Sequence, residues 1–250
     1  MNMQTTTPSI APTRSSVQRT AANERRRRSS RRGRTLGRRR VDLPAPRTPG
    51  RYVFVRRTLD VAVSGALLLA LLPLFALIAL AIVVEDRGPV LYAQDRLGRD
   101  GRYFRFLKFR SMRSDADRLR EQVVTETGAS GGVRFKDRHD PRITRVGRVL
   151  RRFSLDELPQ LVHVLRGDMA LVGPRPPIPE EVARYDANEW QRLAVTPGLT
   201  CLWQTSGRSE LSFERQVELD LDYIERRSLS FDLRLLWRTI PAVVGGRGAW

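Results

Sequence analysis

Residues 61–84 form a run of 24 residues without a single charge, VAVSGALLLALLPLFALIALAIVV, with Pro73 at its midpoint. A run of this length can reach across the ~30 Å hydrocarbon core of a bilayer as a straight helix. Proline removes a backbone donor and clashes with the carbonyl four residues earlier, so a helix kinks or breaks there. The run therefore predicts either a kinked transmembrane anchor or a re-entrant helix that bends at Leu72-Pro73 and returns to the same face.

Arginines lie on both sides of the uncharged run. They are Arg51, Arg56 and Arg57 before it, and Arg87, Arg96, Arg99, Arg102 and Arg105 after it. Arginine-rich flanks tend to stay in the cytoplasm, so these charges favour the same side of the membrane for both ends of the run. A secretory signal peptide is disfavoured, because 60 residues precede the run and its apolar region is too long. We therefore expect a re-entrant anchor with the rest of the chain in the cytoplasm.

Residues 1–50 form an arginine-rich arm. It holds 13 arginines against Glu24 and Asp42, which is a net charge of +11 out of +18 for the whole chain. The arm is rich in Ser, Thr and Pro and has few large apolar residues, so we expect it to be disordered. Next to a membrane anchor it can contact anionic headgroups, at ~1 kcal/mol per basic residue. We expect it to strengthen membrane attachment without supplying chemistry, although polybasic tracts attract any polyanion.

The cysteine and histidine content limits the metal chemistry. A single cysteine, Cys201, excludes an internal disulfide and fits a reducing compartment. Together with His139 and His163 it forms no zinc constellation. A metal in this protein would be a hard ion held by carboxylates and phosphate oxygens.

The remaining sequence predicts an α+β fold that is mainly helical, with one short β-hairpin formed by residues 89–96 and 102–110. Ser114 and Asp117 resemble the ends of a capping box that opens a short helix. A Gly- and charge-rich loop follows over residues 125–141. Further elements are helices over 143–152, 179–193, 212–227 and 231–244, and a loop over 195–210. The last helix contains Arg234 and Arg238, which suits an interfacial helix with a basic face or a core helix.

The segment RRFSLDELPQL, residues 151–161, contains two adjacent carboxylates, Asp156 and Glu157. Ser154 and Glu157 have the spacing of a capping box, under which both acids would be ordinary first-turn residues favoured by the helix dipole. The helix that follows has an apolar face formed by Leu158, Leu161, Val162 and Leu165, and it ends before Gly167. On this pattern alone the two acids could be purely structural.

A second segment favours a functional interpretation of these acids. Helix N-termini bind phosphate through free backbone N–H groups, and Arg151 and Arg152 stand just upstream. Residues 173–177, GPRPP, form a stiff turn that holds Arg175 in a fixed place. A guanidinium held near paired carboxylates and a helix N-terminus predicts a site for a metal-bound diphosphate.

Six motifs occur in order behind the uncharged run. They are QDRLG (94–98), KFRSM (108–112), SLDELPQ (154–160), RGDM (166–169), VGPRP (172–176) and TPGLT (196–200). With these motifs, residues 56–250 resemble the bacterial sugar transferase family, the monotopic polyprenyl-phosphate phosphoglycosyl transferases. The resemblance implies a membrane-inserted helix over 51–86, broken at Pro73, and a cytoplasmic catalytic domain over 87–250.

The resemblance also implies a reaction at the cytoplasmic face of the bacterial inner membrane. Sugar-1-phosphate would pass from a UDP-sugar to undecaprenyl phosphate with release of UMP, as the initiating step of exopolysaccharide or glycoconjugate synthesis. Asp156 would be the nucleophile, forming a covalent aspartyl-phosphosugar intermediate. Glu157 would assist it as a ligand of Mg²⁺ or by positioning the metal site, and Asp156 would also contact the metal.

Further residues are assigned by the same resemblance. The groups that would bind phosphate oxygens are Arg151, Arg175, Lys108 and Arg208, and Asp168 is a further candidate metal ligand. The variant CLWQ at 201–204 favours galactose or glucose over N-acetylated sugars in the donor. The expected partners also include anionic lipids and exclude nucleic acid, and a homodimer is left open.

Two other classes of function are compatible with the residues alone. The first is a non-enzymatic, membrane-anchored protein that binds polyanions through its arginine arm. The second is a bitopic sensor or transporter component, which would place residues 88–250 outside the cell.

Overall fold

The computed structural model describes residues 49–116, 119, 140–207 and 210–245. Residues 1–48 of the predicted arm lie outside this part, as do most of the helix predicted after Ser114, nearly all of the loop predicted over 125–141, and Arg208.

The uncharged run folds into parts of two consecutive helices. Helix α1 spans Gly50–Ala70 and helix α2 spans Leu72–Glu85, and their axes differ by 59°. Pro73 lies in the first turn of α2, where its missing N–H leaves no helical hydrogen bond unmade. The predicted helix break at Pro73 is therefore confirmed.

The helix pair exposes many of its apolar side chains. Phe54, Leu69 and Val84 are 74%, 72% and 76% exposed, respectively. Within the described residues, no single helix is both long and apolar enough to cross a bilayer. Taken together, α1 and α2 meet that requirement by length and composition, with the bend between them.

An antiparallel hairpin follows, as predicted. Strand β1 is Leu91–Leu97 and strand β2 is Tyr103–Phe109, and Leu97 pairs with Tyr103 next to the turn. A short 3₁₀ turn, Arg99–Gly101, joins them, with Asp100 at φ 58°. Asp and Gly tolerate this left-handed conformation better than other residues, which explains the Asp-Gly pair in the turn.

Three helical segments lead through the central motif. Helix α3 is Arg145–Arg152, a 3₁₀ helix spans Leu155–Gln160, and helix α4 is Leu161–Arg166. Helix α4 ends at Gly167, whose φ of 88° is typical of a C-terminal glycine, as predicted.

The predicted capping box at Ser154 is wrong. An N-cap residue ordinarily has an extended backbone, whereas Ser154 is left-handed, with φ 54° and ψ 23°. Its side chain makes no capping hydrogen bond within the described structure, and the Glu157 carboxylate bonds to Arg175 instead. The two acids are therefore not explained by helix capping.

Two short strands, β3 at Ala170–Val172 and β4 at Gly198–Thr200, pair in parallel. Strand β4 lies within the segment that the sequence predicts as a loop, which also contains a 3₁₀ turn at Trp203–Thr205. Strand β3 ends before Gly173-Pro174 and β4 begins directly after Pro197, and proline cannot donate to a ladder, so these prolines limit the pairing.

The single helix predicted over 179–193 is also wrong. Helix α5 spans only Pro179–Val182, and a separate 3₁₀ helix spans Glu189–Ala194. Asp186 and Glu189 exchange side chain to backbone hydrogen bonds of 2.8 Å, so Asp186 starts the second segment in the manner of a cap.

The last two helices agree with prediction. Helix α6 is Phe213–Arg226, capped by Ser212, and helix α7 is Leu229–Gly245. Helix α7 buries Phe231 and Leu235 and exposes a stripe on another face, namely Leu233, Trp237 and Ile240. It thus has a core face and also an exposed apolar face.

The bent helix belongs to the same core as the domain that follows it. The main cluster comprises residues of the hairpin, α4, β3, α6 and α7, and Leu68 of α1 and Leu71 at the bend pack against it. A second cluster joins Ile78 and Ile82 of α2 to Leu150 of α3. Both arms of the bent helix are therefore anchored by apolar packing.

The fit of α3 against the segment after β2 gives a testable consequence. A Cβ at Gly147 would lie 2.0 Å from the carbonyl oxygen of Ser111. We expect Gly147→Ala to lower the free energy of unfolding by about 1–3 kcal/mol, the usual cost of overpacking. The matched control is Gly65→Ala, where the nearest atom would be 3.9 Å away. Thermal unfolding in detergent measures both, and equal melting temperatures would contradict this account of the packing.

Candidate active site

Asp156 lies in the 3₁₀ helix Leu155–Gln160, which packs against β2. Its side chain is buried, with a residue exposure of 7%. Among the described residues, none donates a hydrogen bond to its carboxylate. A largely buried carboxylate that no described residue holds by a hydrogen bond is a candidate for a functional role.

Glu157 is paired with an arginine, unlike its neighbour. Arg175 Nη2 donates to Glu157 Oε1 at 2.9 Å. The Arg175 loop, residues 173–177, thus reaches the acidic pair as the sequence predicts. Such a charge-assisted bond fixes both side chains in one geometry.

Close backbone packing holds the Arg175 loop in place. Gly173 N donates to Thr200 O and Gly198 N donates to Pro174 O, both at 2.9 Å. A Cβ at Gly198 would lie 2.0 Å from Gly173 N, so only glycine permits this approach. The closely packed TPGLT segment, residues 196–200, therefore sets the position of the loop from one side.

Strand β1 holds the same loop from the other side. Arg96 Nη1 donates to Pro176 O at 3.0 Å, and Leu97 N donates to Pro177 O at 3.0 Å. Arg96 was not among the predicted site residues, yet its charge contributes to lowering the pKa of Glu157. Its place in the QDRLG motif was the signal that could have identified it.

Arg151 and Lys108 supply further positive charge near Asp156. Arg151 Nε donates to Ser111 Oγ at 2.9 Å. Lys108 lies on β2 opposite Tyr92, with Nζ 5.6 Å from the centre of that ring. Burial lowers the pKa of Lys108 to about 8, and the nearby charge of Asp156 opposes this shift. Ser111 is a site residue that the sequence reasoning missed, although it lies in the KFRSM motif.

The pKa values of the two acids are shifted in opposite directions. Burial is the main reason that the pKa of Asp156 rises from 3.8 to about 6, and the charge of Glu157 adds to the rise. Burial also acts to raise the pKa of Glu157, but the charge and hydrogen bond of Arg175 outweigh it and lower that pKa. Adjacent carboxylates with separated pKa values are typical of catalytic pairs.

Asp168 does not join this group in the described structure. Asp168 Oδ2 lies 3.3 Å from His163 Nδ1, beyond the opposite end of α4 from Asp156. His163 Nε2 accepts from Leu107 N, which leaves the proton on Nδ1, facing Asp168. Arg208 lies outside the described residues, so its predicted role stays a prediction.

The chain is similar to a known family of proteins. The model of the family described as "Bacterial sugar transferase" matches residues 51–246, which is most of the chain. The chain belongs to the bacterial sugar transferase family. This membership favours the enzyme interpretation over the polyanion-binding and sensor alternatives.

Three relatives show the range of the similarity. The "Galactosyl transferase CpsE" of Streptococcus agalactiae serotype III is 40% identical over 79% of this chain and 44% of its own length. The "Exopolysaccharide production protein ExoY" of Sinorhizobium fredii is 40% identical over 78% of this chain and 88% of its own length. The "UDP-glucose:undecaprenyl-phosphate glucose-1-phosphate transferase" of Caulobacter vibrioides is 43% identical over 76% of this chain and 69% of its own length. The chain thus spans less than half of CpsE and most of ExoY.

The donor set at the acidic pair fits a hard cation. Asp156 and Glu157 offer carboxylate oxygens, which Mg²⁺ prefers, and Mg²⁺ is commonly held by one or two carboxylates plus substrate phosphates. No group of three or more His, Cys, Asp or Glu side chains suited to a metal occurs among the described residues. A metal here would therefore depend on phosphate oxygens and water for its remaining ligands.

The shifted pKa of Asp156 predicts an unusual effect on stability. The folded protein binds this proton more tightly than the unfolded chain, so the free energy of unfolding falls as pH rises from about 4 to about 6. Asp156→Asn removes this cost, which is on the order of 1–3 kcal/mol. We expect its melting temperature in metal-free detergent solution to exceed that of the wild type at pH 7.5, with a smaller difference at pH 5.

Glu157→Gln is the control for this measurement, because the pKa of Glu157 is lowered rather than raised. Its folded-state carboxylate contributes stability above the unfolded pKa, so the variant should melt lower than the wild type at pH 7.5. An Asp156→Asn variant that melts below the wild type at both pH values would show that the carboxylate stabilises the fold.

Proposed function

We propose that this protein transfers sugar-1-phosphate from a UDP-sugar to undecaprenyl phosphate, releasing UMP, as the first membrane step in the synthesis of an exopolysaccharide or related glycoconjugate. The observation that carries the proposal is the buried Asp156 carboxylate, which has no hydrogen-bond donor among the described residues and lies beside the Glu157–Arg175 pair. Membership of the family and the name of the Caulobacter vibrioides relative support the substrate pair.

The proposed reaction has two displacement steps at phosphorus. In the first, an Asp156 oxygen bonds to the sugar-bearing phosphorus, the phosphorus–oxygen bond to the nucleotide breaks, and UMP leaves with the electron pair. In the second, a phosphate oxygen of the polyprenyl acceptor attacks the same phosphorus, and the bond to Asp156 breaks. The product is a polyprenyl diphosphate sugar, and the Asp156 carboxylate is regenerated.

The lack of hydrogen-bond donors from the described residues suits a nucleophile. Each hydrogen bond to a carboxylate stabilises its charge and lowers its reactivity, so an oxygen free of donors is the more reactive one. With a pKa of about 6, Asp156 is mostly ionised at pH 7 and can attack. Glu157 remains ionised beside it because Arg175 compensates its charge.

Positive side chains compensate the charge of the diphosphate. Arg175 uses one nitrogen for Glu157, which leaves other N–H groups of the guanidinium for phosphate oxygens. Arg151 and Lys108 approach Asp156 from α3 and β2, so charge that develops on the transferring group is met on several sides. When bound, Mg²⁺ supplies further charge neutralisation, and Asp156 and Glu157 are the residues that would hold it.

The donor sugar is proposed to be galactose or glucose. Two relatives are named for these sugars: CpsE is called a galactosyl transferase and the Caulobacter vibrioides protein a glucose-1-phosphate transferase. The CLWQ variant of residues 201–204 points the same way. A screen of UDP-sugars with undecaprenyl phosphate, following UMP release, decides between them.

We also propose that the bent helix is re-entrant and that the domain lies on the cytoplasmic face of the inner membrane. The first arm carries Arg57, whose Nη1 and Nη2 donate to Val164 O and Leu165 O at 2.6 and 2.7 Å. The second arm ends at Glu85, whose carboxylate accepts from Arg145 N and Val146 N at 2.6 and 2.8 Å. Because both ends bond to one folded domain, a path that returns to the same side is favoured.

The catalytic assignment predicts the behaviour of three variants. Asp156→Asn and Glu157→Gln should each lose several orders of magnitude of turnover, because each removes a group needed in the reaction. Glu180→Gln, which changes an exposed first-turn acid of α5, should stay near wild type. Incubation with a UDP-sugar and Mg²⁺, without lipid acceptor, should leave a phosphosugar adduct on the wild type, detected by intact mass. An adduct on the Asp156→Asn protein would assign the nucleophile elsewhere.

The re-entrant path predicts where labelling reagents reach the chain. Cysteines introduced at Val55 and Val90, one on each side of the uncharged run 61–84, should both resist a membrane-impermeant maleimide in intact cells. Both should react once the inner membrane is permeabilised, and buried Cys201 serves as the unlabelled background. Labelling of only one position from outside would establish a spanning helix. Pro73→Leu should straighten the break and shift the pattern in that direction.

A further inference from the structure

Arg56 of α1 carries a largely buried guanidinium that the proposed chemistry does not use. Its side chain is 14% exposed, although α1 presents many apolar side chains to the outside. The guanidinium donates to the carbonyl of Val172 and, at 3.3 Å, to the hydroxyl of Tyr52. Its Nε atom lies 3.7 Å from Asp232 Oδ2 and 4.0 Å from Asp60 Oδ2. A charge removed from water needs such partners, because an unpaired one is strongly destabilising.

The residues around this guanidinium form one network, which we call the Arg56 cluster: Tyr52, Arg56, Asp60, Tyr223 and Asp232. Tyr52 and Tyr223 donate to the two oxygens of Asp232, each at 2.8 Å. Asp60 Oδ1 accepts from Leu171 N at 3.0 Å. The cluster therefore joins the first arm of the bent helix to α6, to α7 and to β3.

Strand β3 is held by α1 at two successive residues. Asp60 binds the N–H of Leu171, and Arg56 binds the carbonyl of Val172. The next residue is Gly173, the first of the Arg175 loop, and its N–H is bonded to Thr200 O. Because Pro174 has a fixed φ, few free torsions separate Val172 from Arg175. A change in how α1 holds Val172 is thus transmitted to the Arg175 guanidinium.

We infer that Arg56 is a positioning residue, which aligns the Arg175 loop with the acidic pair by fixing Val172 to the membrane-associated helix. This inference rests on the proposed function, in which Arg175 binds the diphosphate of the donor. A displacement of a binding group by about 1 Å can cost on the order of 100-fold in rate. The bent helix is then part of the machinery that orders the active site, in addition to anchoring the chain.

Amide hydrogen exchange tests the placement without depending on activity. The full-length protein in detergent is compared as wild type, Arg56→Gln, Arg56→Lys and Arg51→Gln, the last removing an exposed arginine from the first turn of α1. We expect Arg56→Gln to speed exchange in the peptide covering 171–178 by about 10-fold or more, with smaller changes elsewhere. Arg56→Lys keeps the charge and should be intermediate, and Arg51→Gln should match the wild type.

A double-mutant comparison tests the consequence for catalysis. UMP release from the UDP-sugar is measured for Arg56→Gln, for Arg175→Met and for the double variant. We expect Arg56→Gln alone to lower kcat/KM about 10- to 100-fold. In the Arg175→Met background the same change should cost less than about 3-fold, because residues that act through one another are not additive. A purely structural Arg56 would show the full loss in both backgrounds.

Tyr52→Phe provides a milder variant if Arg56→Gln does not fold. It removes the hydroxyl that contacts both Arg56 and Asp232, and it should give the same localised exchange with a smaller rate loss. Exchange that is unchanged in 171–178, or raised equally across the whole domain, would overturn the inference. A wild-type protein that releases no UMP would overturn the proposed function instead, and the exchange result would still decide whether Arg56 holds the loop.

Discussion

The ion pair between Arg175 and Glu157 determines the electrostatics of the acidic pair. Two adjacent carboxylates, one buried and the other half-buried, repel each other, so a single arginine that engages one of them makes the two different. Here the engaged acid, Glu157, has its pKa lowered, whereas burial is the largest influence on Asp156 and raises its pKa to about 6. The position of the Arg175 loop, together with the burial of Asp156, thus makes the two acids different.

That geometry depends on contacts from three directions. Gly173 and Gly198 allow two backbones to meet where any side chain would collide, Arg96 and Leu97 of β1 bond to the carbonyls of Pro176 and Pro177, and the Arg56 cluster holds the preceding strand. Prolines within the loop remove torsional freedom between these points. The Arg175 loop is thus surrounded by glycines that leave no room for a side chain and contains prolines that restrict its torsions. These contacts explain how a domain with two very small sheets holds a charged loop in place.

Much of this arrangement could be predicted from sequence because it depends on local patterns. The uncharged run with Pro73, the Asp-Gly turn of the hairpin and the glycine that ends α4 each have a short-range physical cause, and the structure has all three. The failures concern tertiary competition. Ser154 has the spacing of a cap but adopts a left-handed backbone, and Glu157 bonds to an arginine 18 residues away instead of closing the helix end. Likewise Arg56 reads as an ordinary flanking charge, and its burial depends on Asp232, 176 positions further along.

Glu85 connects α2, the second arm of the bent helix, to the segment that contains Asp156. Its carboxylate occupies the N-terminus of α3, and the other end of that helix lies four residues before Asp156. If the bent helix enters the bilayer as proposed, the depth of α2 sets the height of Asp156 relative to the lipid phosphates. An acceptor whose reactive phosphate stays at the headgroup level would then meet the carboxylate without being lifted out of the membrane. The distance between the catalytic atom and the lipid surface would be fixed by helix geometry, independently of how tightly the acceptor binds.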